Sequence, residues 1–403
     1  MRVAAARSAT PGSGFFIALI AAMMTMTAMT IDINLPAIPA TAADLGASLT
    51  TTQLSVTIFF GGFAIGQLVW GPLSDRRGRK PCLQIGTWIY VVATVGCALA
   101  PDIVTLLSLR AVEGFGAGAG SILGRVIIRD LFEGPQMARM LSLAMAAFIT
   151  APIVAPTIGA VILAVASWRW IFVFLAVYGL VMLALAQLFL EESLKEHHRQ
   201  ATSGARLLRA FAEVFQHPSS RCWAIVVTLV FGTLTIYLTN SPAVLMQSYG
   251  LGPAGFGAAF AVIAVCSSIG NLVNSRLVRH LPLARLIRLA LLGAVVTSAL
   301  ALGLALTGFG GVWGLVLAIG LFFVCFGLTA ANGTTLALQP HPTIAGAAAS
   351  ALGFAQTVVP SVIASGVALL YDGTAVPMLA SILLLFVICW VVSLSGTSPQ
   401  NAS

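Results

Sequence analysis

The sequence predicts an all-α membrane protein of twelve transmembrane helices, arranged as two pseudo-symmetric bundles of six. Three observations predict it. The 403-residue chain is 59% hydrophobic and only 8% charged, with a mean hydropathy of +1.01; a soluble domain carries about three times that share of charge. Its apolar residues fall in long blocks, with room for about twelve spans of ~20 residues. A single long polar stretch, 191–220, separates these blocks six and six. A soluble enzyme, a disordered chain and a receptor with one membrane anchor are excluded.

Breaks at charges, prolines and turn clusters place the first six spans near 14–36, 50–73, 81–100, 103–126, 138–163 and 168–190. The second six lie near 221–243, 253–275, 284–306, 311–336, 346–370 and 374–396. Backbone groups in lipid must bond internally, and these runs are too long and too little alternating for barrel strands, so they are helices. Arg2 and Arg7 ahead of an apolar run, with Pro39-Ala-Thr-Ala-Ala beyond it, have the outline of a secretory leader. The run from Gly14 to Leu35 is longer than a leader's apolar core and contains Asp32, so it is read as the first span.

Basic residues set the expected orientation. Eighteen of the 20 Lys and Arg residues fall in the N-terminal segment, in the turns that lead from even to odd spans and in the central stretch; Arg110 and Arg169 are the exceptions. That bias places both termini in the cytoplasm. It also explains the net charge of +8 without a nucleic-acid partner. The expected organisation is an N-terminal bundle (1–190), a cytoplasmic linker (191–220) and a C-terminal bundle (221–403). The pair His197–His198 sits among mixed charges and reads as linker, with no metal site. The six cysteines show no C-x-x-C spacing and read as small hydrophobes. Two equal halves joined in this way point to a duplicated transporter with its substrate site between the halves, near mid-membrane.

Three charged residues fall within the spans: Asp32, Arg110 and Glu113. Each costs about 2.5–3.5 kcal/mol at a span's centre, so a functional role is the default reading. Asp32 and Arg110 both lie in the outer half, roughly 6–10 Å deep at ~1.5 Å per residue, and are expected to face one another. Glu113 lies three residues on from Arg110, on the same helical face. A buried carboxylate near a movable cation can take a proton in one environment and release it in another. A static Arg110–Glu113 brace, with Asp32 closing its helix before Pro36, is the alternative. The second half has no acid within a span. Its in-span polar residues are Tyr237, Asn240, Asn271, Asn332, Gln356 and Thr357, candidates for uncharged contacts along a substrate cavity.

Between spans two and three stands Gly71-Pro-Leu-Ser-Asp75-Arg76-Arg-Gly78-Arg79-Lys-Pro. Glycine permits a tight turn, and the basic cluster suits the anionic inner leaflet. The ordering G-x-L-x-D-R-x-G-R-K resembles the signature loop of the major facilitator superfamily. Arg110-Ala-Val-Glu-Gly resembles that superfamily's R-x-x-Q-G pattern of span four. Ala151-Pro152-Ile-Val-Ala-Pro156-Thr-Ile-Gly159 resembles the G-P-x-x-G-G pattern of span five, associated with exporters, and Trp168-Arg-Trp-Ile-Phe follows it. Proline removes helix bonds and Gly159 permits close packing, so this span can bend or form an interface. Within the superfamily, Asp32-Ile-Asn34-Leu-Pro-Ala-Ile-Pro is similar to the D-M-Y-L-P-A-x-P segment of the bicyclomycin/chloramphenicol-resistance exporters, and Ala345-Gly-Ala-Ala-Ala-Ser-Ala-Leu-Gly also fits that group.

The resemblance implies the major facilitator fold and drug:proton antiport by alternating access. It implies a multi-pass protein of the bacterial inner membrane, acting as a monomer on small amphipathic drug-like substrates and protons, with no cofactor beyond the proton motive force. By position, Asp32 would be the coupling acid, Arg110 the relay arginine, and Asp75 with Arg79 a cytoplasmic latch. Two residues depart from the pattern: Asn34 stands where the group often has tyrosine, and Glu113 replaces glutamine. In the second half, Gly270-Asn-Leu-Val-Asn-Ser-Arg is a degenerate echo of the signature loop, with Asn274 where Asp75 would fall. Transport of one defined metabolite by the same fold is the competing reading. All five histidines fall in expected cytoplasmic loops, against intramembrane catalysis, and no G-x-x-x-x-G-K-[ST] motif points to ATP.

Overall fold

The computed structural model describes residues 13–194, 204–341 and 344–396. Arg2, Arg7, Lys195, His197, His198 and Arg199 lie outside them. The described chain is helical, with no strand among the described residues. The helices of the first half are α1 (Gly14–Asp32), α2 (Ile38–Asp44), α3 (Leu49–Arg77), α4 (Arg79–Ala98), α5 (Ile103–Leu131), α6 (Gly134–Val165) and α7 (Arg169–Phe189). Then follow α8 (Gly204–Gln216), α9 (Pro218–Ser241), α10 (Pro253–Leu277), α11 (Leu283–Thr307), α12 (Gly311–Leu338), α13 (Ala345–Leu369) and α14 (Val376–Ser395).

Among the described residues, eleven helical segments are long and apolar enough to cross a membrane, counting α1 with α2 and α9 with the π-helical turn Pro242–Ser248 that continues it. The twelfth is α6, whose apolar stretch is Thr150–Val165. Many large apolar side chains face outward on these helices, among them Val92, Trp170 and Leu317, each more than half exposed. In water such a surface would drive aggregation; in lipid it is the solvated face.

Helix ends follow from local chemistry. Ser13 caps α1 by accepting from the Phe16 amide, and Asp102 caps α5 by accepting from the Thr105 amide at 2.9 Å. Gly308 ends α11 in the left-handed region at φ 69°. The expected first span does not stop at Pro36. The chain breaks after Asp32, makes a 3-10 turn at Leu35–Ala37 and resumes as α2. Proline lacks the amide that a continuous helix would need there.

The chain forms two compact units. One takes the described residues up to Ala37 and from Ile58 through α7; the other takes Ile38–Thr57 and everything from Gly204 on. In the first unit α4 packs on α5 and α7, while α1 packs on α6 and α5. In the second, α12 packs on α10 and α11, and α9 on α13 and α14. The segment Ile38–Thr57 is held within the second unit: Gln53 Nε2 donates to the Thr239 carbonyl at 3.0 Å, and Ser365 Oγ donates to Thr57 Oγ1 at 2.9 Å. Part of the stretch expected as plain linker is helical. Its α8 packs on α13 and α9, with Val214 fully buried.

Candidate functional site

Asp32 is the last residue of α1 and is 3% exposed. Its carboxylate makes no hydrogen bond or ion pair among the described residues. Two residues on, the buried Asn34 side chain has an amide nitrogen with no partner. Buried polar groups are nearly always bonded, and leaving one unmet costs roughly 1–3 kcal/mol. The unmet Asn34 amide and the unbonded Asp32 carboxylate thus stand two residues apart at one helix break.

The proline–glycine helix packs directly against that break. A Cβ on Gly159 would overlap the Ile33 carbonyl oxygen and come within 3.1 Å of the Pro36 ring. Pro152 and Pro156 lie inside the same helix, α6, which contacts both α1 and the 3-10 turn. The span-five motif and the Asp32 segment, read separately in the sequence, are therefore one structural feature. Two residues before Asp32, Thr30 shares a 2.8 Å hydrogen bond with the Tyr90 hydroxyl of α4.

Arg110 and Glu113 sit inside the first unit, 1% and 0% exposed. Arg110 Nη1 donates to Glu113 Oε2 at 2.6 Å. Thr94 of α4 donates to the other carboxylate oxygen at 2.8 Å, and the Cys97 thiol lies 3.9 Å from the first. The guanidinium also lies over the Phe59 ring at 4.5 Å and the Phe172 ring at 5.8 Å. The expected facing of Asp32 and Arg110 is not realised as an ion pair: the arginine's carboxylate partner is Glu113, one helical turn away on its own helix.

In the second unit Tyr237 is packed between Phe260 and Phe323, at ring separations of 5.7 and 5.2 Å. Asn240 Nδ2 donates to the Ile236 carbonyl. Asn332 Nδ2 donates to Asn274 Oδ1 at 2.6 Å, so those two residues tie α12 to α10. Gln356 donates to Thr334 at 3.3 Å. Unmet buried atoms in this unit are Gln53 Oε1, Thr228 Oγ1, Trp223 Nε1, Thr239 Oγ1 and Ser241 Oγ. Three of them gather where α9 gives way to its π-helical turn at Pro242. A cavity of about 390 Å³, lined by Ile17, Pro135, Gln136, Arg139 and Met140, lies toward the opposite end of α1 from Asp32.

The signature segment is less of a loop than expected. α3 continues through Asp75, Arg76 and Arg77, and only Gly78, at φ 101°, departs from helix before α4 begins at Arg79. The Arg79 side chain, on a residue 4% exposed, donates from Nη1 to Asp75 Oδ1 at 2.5 Å and to Ser74 Oγ at 2.7 Å, and from Nε to Asp130 Oδ2 at 2.8 Å. Gly71 has open space where a side chain would stand, and Arg76 is exposed. Sequence reasoning missed Asp130 because it stands near the C-terminal end of α5, where nothing local connects it to Arg79. Thr94, Thr30 and Tyr90 carried no signal beyond being polar within apolar runs.

The profile described as Major Facilitator Superfamily matches residues 15–367. Relatives include an uncharacterized MFS-type transporter, YdgK, of Bacillus subtilis, 32% identical over 87% of each chain. A bicyclomycin resistance protein homolog of Haemophilus influenzae is 28% identical, over 90% of this chain and 91% of that one. The multidrug resistance protein MdtL of Shewanella oneidensis is 30% identical over 81% of each chain. Among solved structures, a D-xylose-proton symporter superposes with a TM-score of 0.76, covering 97% of this chain and 100% of that one at 15% identity. A bacterial homolog of the human lysosomal transporter Spinster superposes with a TM-score of 0.72, covering 96% and 100% at 15% identity. At that identity the structures speak for the fold alone.

Proposed function

The chain belongs to the Major Facilitator Superfamily, and from that premise we propose that it is a proton-coupled exporter of small amphipathic, drug-like compounds, working by alternating access. The observation that carries the reading is the buried Asp32 carboxylate, without a protein partner, beside the unmet Asn34 amide at the break of α1. A carboxylate left there needs a proton or a cation. Exchanging one for the other as its surroundings change is what antiport requires. The bicyclomycin and multidrug resistance relatives support export of drugs over transport of a single metabolite.

In this reading Asp32 carries the proton, and Asn34 supplies a neutral donor to substrate. Arg110, held by Glu113, Phe59 and Phe172, places a positive field within the first unit. Tyr237, Asn240, Asn332 and Gln356 contribute at most uncharged contacts, since the three amides already bond within the protein. Asp75, Arg79 and Asp130 form a latch at the cytoplasmic face. Pro152, Pro156 and Gly159 make α6 the helix against which the break in α1 moves. The protein sits as a monomer in the bacterial inner membrane with both termini cytoplasmic, uses no cofactor, and draws on the proton motive force.

The test is efflux from energised vesicles with a panel of antibiotics and dyes, comparing the wild type with Asp32→Asn. The expected result is loss of pH-gradient-driven export in the variant with the protein still folded. Full coupled export by Asp32→Asn would remove the assignment of the acid. Export by the wild type that ignores an imposed pH gradient would remove proton coupling altogether.

A further inference from the structure

α4 begins at Arg79, the residue that ties Asp75 to Asp130, yet its cap position is Gly78, which has no side chain to bond the free amides of the first turn. The missing cap comes from 113 residues away. Glu192 Oε1 accepts from the Arg79 amide at 2.8 Å, and Oε2 accepts from the Lys80 amide at 3.2 Å. Oε1 also accepts from the Leu194 amide at 2.9 Å. A Cβ on Gly78 would overlap the Glu192 carboxylate, so glycine is needed there for the carboxylate to reach as well as for its φ of 101°. The neighbouring residues dock too. Ser193 Oγ lies 3.5 Å from Asp130 Oδ2 as donor, and Leu194 is buried. Lys80 Nζ donates to the Gln187 carbonyl at the end of α7 at 3.0 Å, and Gln84 donates to the Gln187 side chain.

We propose that Glu192 is a positioning residue of the cytoplasmic latch. Its carboxylate fixes the first turn of α4, and with it the Arg79 guanidinium between Asp75 and Asp130, so the latch includes the residues from which the chain departs toward its second half. A carboxylate on helix-end amides is a strong, charge-assisted cap. Losing it frees the backbone that carries Arg79. This inference rests on the transporter reading above, in which the latch governs the rate of the conformational cycle.

The experiment measures transport kinetics and amide hydrogen exchange in Glu192→Ala, Glu192→Gln, Asp75→Asn and the double variant Glu192→Ala/Asp75→Asn. Glu191→Ala is the control, because Glu191, exposed like Glu192, makes none of these bonds. Glu192→Ala should speed exchange at the Arg79 and Lys80 amides. It should lower Vmax about two- to fivefold with KM unchanged, the size expected for loss of an exposed helix-end carboxylate. Glu192→Gln keeps one acceptor oxygen and should fall between, and it serves if the alanine variant does not fold. The double variant should be no slower than Asp75→Asn alone. Wild-type Vmax in Glu192→Ala, unchanged exchange at Arg79 and Lys80, or losses that multiply in the double variant would overturn the proposal. A wild-type rate in Asp75→Asn would instead remove the latch itself.

Discussion

Arg110 and Glu113 show how little a charged residue's place in the sequence says about its task. Both oxygens of Glu113 are engaged, one by Arg110 at 2.6 Å and one by Thr94 at 2.8 Å, and neither side chain reaches water. Asp32, equally buried, is engaged by nothing among the described residues. In the proposed mechanism this contrast gives the proton to Asp32, and Glu113 is the counter-charge that lets Arg110 stay buried. Removing one member of a buried pair costs about 3–5 kcal/mol, because the other charge is left without compensation. Glu113→Ala should therefore be strongly destabilised. Glu113→Gln keeps an oxygen for Arg110 and should unfold at a temperature between that of the alanine variant and the wild type. If Glu113 only braces Arg110, the pH profile of transport in Glu113→Gln will match the wild type's. A profile that loses one ionisation would move the proton chemistry to Glu113. Thermal unfolding in detergent and efflux at several external pH values read the two effects separately.

At the scale of elements, the break in α1 and the helix packed on it act as one part. Gly159 meets the Ile33 carbonyl so closely that any side chain forces α6 away from α1. Overpacking of this kind costs about 1–3 kcal/mol. Gly159→Ala should thus lower the unfolding temperature modestly but reduce transport more than that loss of stability explains. Transport at the wild-type rate in Gly159→Ala would show that the contact is packing alone. A second element-level prediction lies at the N-terminal end of α9. The buried His341 ring shares a 2.9 Å hydrogen bond with Ser220 Oγ, faces the His217 ring at 5.6 Å, and lies in a turn outside the spans. Burial, and then the field of His217, hold its pKa below the usual histidine range, with Glu213 opposing. Since the folded protein holds the ring neutral below the pH at which the unfolded chain does, the contact's stability is complete above about pH 6.5 and falls as the ring is forced to protonate. Wild-type unfolding temperature should drop as pH falls below that value, with a flatter dependence in His341→Gln. Equal slopes for the two proteins would exclude His341 as the source.

For the whole molecule, the fold was legible in the sequence because lipid leaves so few solutions for a backbone: long apolar blocks have to be helices. The catalogue of charges within spans was equally legible, since an apolar background makes each acid conspicuous. What was not legible depended on contacts across long separations. Glu192 lay in a stretch dense with charge, and nothing local connected it to Gly78. The restart of the chain at α2 was hidden because Pro36 reads as a stop whatever follows. The pairing of Asn332 with Asn274 could not be distinguished from two residues lining a cavity. The basic residues, too, gather in alternate turns along the sequence. Asp102 and Asp372 occupy turns opposite the basic segments, each bonded to its own turn through Thr105 and Thr374, and those bonds hold both carboxyls below the usual range. The bias of the basic residues toward alternate turns predicts one orientation, which cysteine labelling tests directly. Phe309 is 76% exposed in a turn expected outside, and Arg279 is exposed in one expected inside, whereas each native cysteine is buried or half-buried. Phe309→Cys should react with a membrane-impermeant maleimide in intact cells, and Arg279→Cys only after permeabilisation. The reverse pattern would turn the molecule over, placing the Asp75–Arg79–Asp130 latch on the outer face and Asp32 in the inner leaflet.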